Sequence, residues 1–349
     1  MEGVAVIVGA AVVILGLLSV PPPSPDRPTV IVVVGAEGET NYGKTFAASA
    51  DRWEQAGQRG GSSVVQVGRD DAAEDKSRLR AVIEAELKSD RPTQPLWLVL
   101  IGHGTYDGKE AKFNLRGPDV SDEELAQWLA PCKRPLAVIN CASSSAPFLT
   151  RLSGDDRVVI TATRTGSEEN ITRFGEHLAA TIADPSGDLD KDGQTSLLEA
   201  FLAASHRVGE FYREQGRIQT EHALLDDNGD KLGIGADFFK GLRAVRGARD
   251  GAPLDGPRAR QWHLVLSPAE QAMPADRRAR RDELELAVEA LRQKKATMPE
   301  ADYYARLDPL LLDLAQLYHA GALPEAPAAP APAAETPATN RFTTTRPAR

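Results

Sequence analysis

Two residues that could do chemistry follow neighbouring apolar runs of the chain. His103 comes just after LWLVLI (96–101), and Cys141 comes directly after LAVIN (136–140). If both runs are parallel strands, their carboxyl ends meet at one sheet edge and bring the two side chains together. An imidazole beside a thiol can take its proton and later protonate a leaving group. The pair predicts a cysteine nucleophile; a small buried cysteine and an ordinary hydrogen-bonded histidine are the alternative.

A stabilising site for a developing oxyanion is expected beside this pair. Gly104 and Cys141 would supply it from their backbone amides, which point towards a reacting carbonyl in such sites. Gly102 and Gly104 also let the backbone approach a ligand closely.

A second stretch, DLDKDGQTSLLE (188–199), fits the calcium-loop pattern D-x-D-x-D-G-x5-E without a mismatch. Its oxygen donors suit Ca²⁺ better than zinc or copper. We expect one isolated structural calcium site; the alternative is a solvated acidic turn that caps the next helix. The ligand positions are held by Asp188, Asp190, Asp192, Gln194, Ser196 and Glu199.

Another acidic stretch, LLDDNGDKLG (224–233), carries Asp226, Asp227 and Asp230 around the turn signal Asn228-Gly229. It lacks an acid at the twelfth position of a calcium loop. We therefore expect a solvated turn.

The stretch GETNYGKT (38–45) fits the phosphate-loop pattern after an apolar run. A working phosphate loop also needs an acidic residue that ends a second strand and holds magnesium. The runs that end at residues 101, 140 and 161 are not followed by Asp or Glu. A nucleotide hydrolase is therefore only the third hypothesis.

Composition limits the class of protein. The chain has 349 residues, a net charge of −9 and two cysteines, which exclude a disulfide framework and a Cys-rich zinc site. We expect no nucleic-acid partner, because phosphate neutralisation needs a clustered basic surface. Residues 1–20 are almost free of charge and predict an N-terminal membrane anchor, with a cleaved signal and secretion as the alternative. An anchor together with a calcium loop favours an extracytoplasmic location.

Uniformly apolar runs alternate with helical patterns along residues 29–243, which predicts a parallel sheet flanked by helices. The runs are VIVVV (30–34), SVVQV (63–67), LWLVLI (96–101), LAVIN (136–140) and RVVIT (157–161). Helices are predicted over residues 44–57, 71–88, 121–129, 173–183 and 196–213.

The flanking segments differ in composition. A Pro-rich spacer occupies residues 21–28, a Gly/Pro/Arg-rich linker 244–261, and a low-complexity tail 323–349, which we expect to be disordered. Between linker and tail, residues 262–322 predict a helical hairpin that Pro309 interrupts, used for packing, oligomerisation or partner binding. Its apolar stripes are Leu284, Val288 and Leu291, then Tyr304, Leu307, Leu311, Leu314 and Leu317.

Residues 29–240 resemble the caspase–haemoglobinase-fold cysteine peptidases, most closely a divergent, bacterial-style member of the legumain-like branch. The resemblance lies in a strand followed by His-Gly, a second strand followed by Asn-Cys, and the stretch VVVGAEGETNYGKTFAASADRW. It implies that Cys141 is the nucleophile, that His103 is the acid/base and that Asn41 orients the histidine. TATRTGSEEN (161–170) resembles the border of the specificity pocket, where Arg164, Glu168 and Glu169 are candidates.

The leading hypothesis is therefore a membrane-anchored cysteine peptidase that acts on a protein or peptide substrate. The alternative is a catalytically inactive calcium-binding and interaction module of the same fold. Two positions depart from the resembling branch: Gly43-Lys44 replaces an Arg-His pair, and Ala142 replaces the acidic residue after the cysteine.

Overall fold

The computed structural model describes residues 27–70, 74–89 and 93–319. The predicted anchor at 1–20, residues 21–26 of the predicted spacer and the predicted tail at 323–349 lie outside these residues. Among the helices that are described, none is both long and apolar enough to cross a membrane.

The described residues form strands and helices in alternation. The strands are β1 (Thr29–Val34), β2 (Ser63–Val67), β3 (Leu96–Ile101), β4 (Gly104–Tyr106), β5 (Ala111–Phe113), β6 (Val120–Ser121), β7 (Leu136–Asn140), β8 (Arg157–Thr161), β9 (Leu224–Asp226), β10 (Phe239–Lys240) and β11 (Arg243–Ala244). The helices are α1 (Thr40–Arg59), α2 (Asp75–Lys88), α3 (Asp122–Leu129), α4 (Ala146–Leu152), α5 (Phe174–Thr181), α6 (Leu197–Glu214), α7 (Pro257–Gln261), α8 (Pro268–Ala272), α9 (Ala275–Gln293) and α10 (Glu300–His319).

A six-stranded sheet forms the centre of the fold, in the order β2-β1-β3-β7-β8-β9. All neighbouring strands in it are parallel except β8 and β9. The five apolar runs are its five parallel strands, and β3 lies beside β7 with Leu100 opposite Asn140. The predicted α/β fold, a mostly parallel sheet flanked by helices, is confirmed.

Side chains alternate between the two faces of this sheet along each strand. Helices cover both faces. Val30 and Val32 face a layer that includes α1, α5 and α6, whereas Ile31 and Val33 face a layer that includes α2, α3 and α4. A small antiparallel sheet, β4-β5-β6, follows β3 beyond its carboxyl end. This arrangement leaves the carboxyl edge of β3 and β7 as the place where the predicted reactive residues emerge.

The segment 244–261 is folded onto the α/β unit, although its composition is that of a linker. Asp255 and Ala259 are buried, and α7 occupies its end. Trp262 then packs edge-on against Trp97 of β3, with ring centroids 4.9 Å apart. The chain therefore returns to the sheet before it enters the C-terminal helices.

The C-terminal helices α9 and α10 pack against each other as the predicted hairpin. Leu284, Val288 and Leu291 are buried, as their spacing predicts. Pro309 lies inside α10 and does not interrupt it, and Leu311 on the expected stripe is 45% exposed. The apolar stripe of α10 is thus only partly covered.

Candidate functional site

His103 lies two residues after β3, at the carboxyl edge of the sheet. Its Nε2 atom is 3.2 Å from the carbonyl oxygen of Glu37, and its ring stands edge-on to Tyr42 and Phe46 of α1. A carbonyl oxygen only accepts hydrogen bonds, so Nε2 carries the hydrogen in this arrangement and Nδ1 is the acceptor. The loop after β1 and the first turns of α1 therefore set the ring's position.

Cys141 directly follows β7 and continues that strand's burial. Its amide donates to the carbonyl of Leu100 at 2.9 Å, and the residue is only 3% exposed. The side chain packs against Gly175 near the start of α5: a Cβ at Gly175 would lie 2.5 Å from Cβ of Cys141 and 3.0 Å from its Sγ. Burial, followed by the negative charge of Glu221, raises the pKa of the Cys141 thiol to about 12. The thiol is therefore protonated at neutral pH.

His103 and Cys141 thus follow adjacent strands and share the side of the sheet that α1 and α5 cover. No hydrogen bond joins the imidazole to Sγ among the residues that the structure describes; the ring bonds to Glu37 instead. The sheet brings the predicted pair to one edge, and the catalytic roles of Cys141 and His103 stay predictions.

The amide of Gly104 is already occupied. It donates to Oγ of Ser143 at 3.2 Å, and that hydroxyl donates back to the carbonyl of Gly104 at 3.0 Å. A Cβ at position 104 would lie 2.3 Å from the carbonyl oxygen of Ser143, so only glycine fits this contact. An oxyanion could use this amide only after displacing the Ser143 hydroxyl.

Asn41 is exposed in the first turn of α1, and its carbonyl accepts from Oγ1 of Thr45 at 3.4 Å. The His103 ring is held by a hydrogen bond from its Nε2 to the carbonyl oxygen of Glu37. The orienting role that the resemblance implies for Asn41 stays a prediction.

The stretch that fits the phosphate-loop pattern is mostly helical. Helix α1 begins at Thr40, before Gly43, and the amide of Gly43 donates to the carbonyl of Glu39 at 3.2 Å. A phosphate loop needs such amides free to face the phosphates. The geometry does not support the nucleotide hydrolase.

A partly buried acid–imidazole pair next to the edge was not expected from the sequence as a pair. Nδ1 of His222 lies 2.6 Å from Oε1 of Glu168, whose Oε2 accepts from the amides of Arg164 and His222. The carbonyl of Glu168 also accepts from the amide of Ser144, in the loop after Cys141. Glu168 had a signal in the resemblance to a pocket border; His222 had none, because the pairing is long-range.

The loop at 188–199 gathers three of the predicted calcium ligands. One carboxylate oxygen each of Asp188, Asp190 and Asp192 lie within 4.8 Å of one another. Asp188 accepts from the amides of residues 191, 192 and 193, and Gly193 has a φ of +91°, which allows the tight turn. Calcium bonds oxygens at 2.3–2.6 Å, so oxygens at this spacing fit around one ion.

The remaining predicted ligands have other bonds. Ser196 and Glu199 form a capping box at the start of α6, and Glu199 also accepts from the amides of residues 189 and 190. The Gln194 side chain accepts from the amide of Ser267 at 3.0 Å. Chelation by Glu199 would therefore exchange backbone bonds for metal bonds, and the ligand roles of Gln194, Ser196 and Glu199 stay predictions.

No protein-family model matches the chain, and no curated protein matches it. Similar solved structures include the Drosophila initiator caspase Dronc (16% identity, TM-score 0.40, 68% of this chain and 97% of that one). Protein GSU0716 from Geobacter sulfurreducens has 11% identity and a TM-score of 0.38, over 57% of this chain and 93% of that one. Caspase-1 from Spodoptera frugiperda has 9% identity and a TM-score of 0.38, over 59% and 88%.

The contact between Cys141 and α5 can be tested through Gly175. Gly175→Ala places a methyl group against Cβ and Sγ of Cys141, so we expect a loss of about 1–3 kcal/mol in the free energy of unfolding. Gly209→Ala in α6 is the matched control, since the added Cβ would lie 3.7 Å from Oε1 of Gln219. That control should gain about 0.5–1 kcal/mol from helix propensity. Denaturant unfolding measures both; equal effects of the two substitutions would contradict the packing of Cys141.

Proposed function

We propose that this chain is a non-catalytic, calcium-binding module on a peptidase-type α/β fold, and that it binds a protein or peptide without cleaving it. The observation that carries this proposal is the burial of Cys141 against Gly175. Thiol attack requires a thiolate that a substrate can reach. With a pKa of about 12, only about one thiol in 100,000 is ionised at pH 7.

Two further contacts support a site without turnover. The His103 ring bonds to Glu37 through Nε2 and, among the described residues, makes no hydrogen bond to Sγ of Cys141. The Gly104 amide bonds to Ser143, so it is not an open oxyanion donor. The Cys141 thiol would have to leave Gly175, and the Gly104 amide would have to leave Ser143, before acyl transfer could begin.

A cysteine peptidase is the second candidate function. One observation favours it: His103 and Cys141 follow adjacent parallel strands on the same side of the sheet. Activity would require Sγ of Cys141 to leave Gly175 and reach Nδ1 of His103. In that mechanism Cys141 would form the acyl-enzyme and His103 would protonate the departing amine.

Cleavage of a peptide library separates the two candidates. We expect wild-type protein and Cys141→Ala to give the same background-level cleavage in the presence of calcium, because the thiol is buried and un-ionised. Cys132→Ala is the matched control for loss of the other cysteine. Cleavage by wild type and Cys132→Ala that disappears in both Cys141→Ala and His103→Ala would establish the peptidase instead.

Calcium belongs to the proposal as a structural ion. Asp188, Asp190 and Asp192 would hold it, with the backbone carbonyl of Gln194 as a further oxygen donor. Bound calcium supplies positive charge that offsets the repulsion among three neighbouring carboxylates. Without it, the Lys191 ammonium, bonded to the Asp188 carbonyl, and Arg260, paired with Asp190, bring positive charge to the loop. Since the loop leads into α6, an ion there would fix the start of a core helix.

Thermal unfolding tests the calcium loop. Saturating calcium should raise the Tm of chelator-stripped protein by about 5 °C, because an ion that binds only the folded state stabilises it. Asp190→Asn combined with Asp192→Asn should remove at least half of that rise. Asp237→Asn, which changes an exposed acid elsewhere, should retain all of it. A rise of equal size in the double variant would contradict a calcium site in this loop.

The partner surface in this proposal is the exposed apolar part of α10. Leu311, Leu312 and Tyr318 there are 45%, 63% and 52% exposed. An oligomer formed through this face is the other use of the hairpin. Attachment to a membrane through residues 1–20, with the module outside the cytoplasm, belongs to the same proposal, and secretion is its alternative.

A further inference from the structure

The acidic turn after β9 is buried, although its sequence predicts a solvated turn. Asp226 and Asp227 are 1% and 5% exposed, and Asp255, from the segment after β11, is 1% exposed beside them. The amides of Asp227 and Asn228 both donate to Asp255, which joins the two segments. Composition alone gives no sign of this, because Asp255 lies in a stretch that reads as a linker.

Three carboxylates of this cluster share one pattern of contacts. In Asp226, Asp230 and Asp255, Oδ1 is fixed by a backbone amide, whereas Oδ2 is buried and has no hydrogen-bond partner within the described chain. The fixing amides are those of Gly229 (to Asp226, 3.0 Å), Leu232 (to Asp230, 2.9 Å) and Asp227 (to Asp255, 3.0 Å). Each side chain is therefore held in place through its Oδ1 atom; near Asp226 the Ser153 hydroxyl also opposes the rise in pKa that burial causes.

No ion pair reaches these acids. Across residues 27–70, 74–89 and 93–319, the salt bridges involve none of Asp226, Asp227, Asp230 and Asp255. Asp227 alone is fully used, since it accepts from the amides of Gly256 and Ala259 at the start of α7. Burial, and then the charges of Asp227, Asp226 and Asp230, raise the pKa of Asp255. Buried carboxylates without partners are costly, so they need a cation or a proton.

We propose that Asp226, Asp230 and Asp255 form a second binding site for a divalent cation of the calcium type. Three hard carboxylate oxygens are the donors that such an ion prefers. The acid that the turn lacks as a calcium loop comes from Asp255. This site is separate from the loop at 188–199 and does not depend on it.

The three Oδ2 atoms of the second cluster are farther apart than those of the loop. In the described chain only Asp188, Asp190 and Asp192 bring three acidic oxygens within 4.8 Å of one another. Binding of a cation by the second cluster would require its Oδ2 atoms to come closer together. A bound ion would tie the turn after β9 to the segment that leads into α7.

Calorimetric titration of the chelator-stripped full chain with calcium chloride tests the site. The variant Asp190→Asn/Asp192→Asn, which disables the loop, should still bind one equivalent of calcium through the second site. Adding Asp230→Asn and Asp255→Asn to that variant should abolish this binding. Asp237→Asn in the same background is the control and should leave it unchanged.

Two results would overturn the site: no calcium binding by the loop variant, or unchanged binding after Asp230→Asn and Asp255→Asn are added. The first result would mean that protons alone neutralise the cluster. If wild type binds one equivalent of calcium and the loop variant still binds it, the calcium site in the loop at 188–199 is wrong and the second site stands. Circular dichroism of each metal-free variant checks its folding; if Asp230→Asn/Asp255→Asn does not fold, Asp255→Asn alone replaces it, with at least a tenfold loss of affinity expected.

Discussion

Burial on both faces of the parallel sheet is the constraint on which the rest of the structure depends. Every residue of β3 and β7 is buried. The hydrogen-bond ladder between the two strands continues one residue beyond the end of β7. The amide of Cys141 still donates to Leu100 of β3, so Cys141 is in effect one more strand residue. His103, two residues beyond β3, has passed out of the ladder and reaches a loop and α1. Cys141, one residue past the end of its strand, therefore occupies a core position, whereas His103, two residues past the end of its strand, occupies an edge position.

This offset gives the two reactive residue types different surroundings. The Cys141 thiol lies in the core, where burial and the negative charge of Glu221 both oppose its ionisation. The residues after it then close the edge: Ser143 binds both backbone groups of Gly104, and the amide of Ser144 binds Glu168. Polar groups of the loops at this edge are therefore bonded to one another.

Local patterns in the sequence predict much of the fold. Strands β2, β3, β7 and β8 begin and end where their apolar runs do, because an apolar run of that length is most stable when both faces are covered. The Ser121–Glu124 capping box that starts α3 is also confirmed, since it depends only on residues three apart. Of the predicted calcium ligands, the three closely spaced aspartates come together, which again is a local property.

Long-range contacts account for what the sequence does not predict. The antiparallel strand β9 has three residues, too few for a periodic pattern, and it is defined by pairing with β8. Residues 244–261 look like a spacer because Gly, Pro and Arg dominate them, yet Asp255 and Trp262 anchor them to distant segments. The partner of Glu168 is 54 positions away in the chain, so no spacing rule points to it.

The protonation state of Cys141 is the most direct test of this account. In Cys132→Ser, which leaves Cys141 as the single cysteine, thiolate absorbance can be followed during a pH titration of the folded protein. The account predicts no thiolate below about pH 10, since burial raises the pKa of Cys141 to about 12. A thiolate that forms between about pH 5 and 8 and is lost in Cys141→Ala would contradict it and would indicate an activated nucleophile.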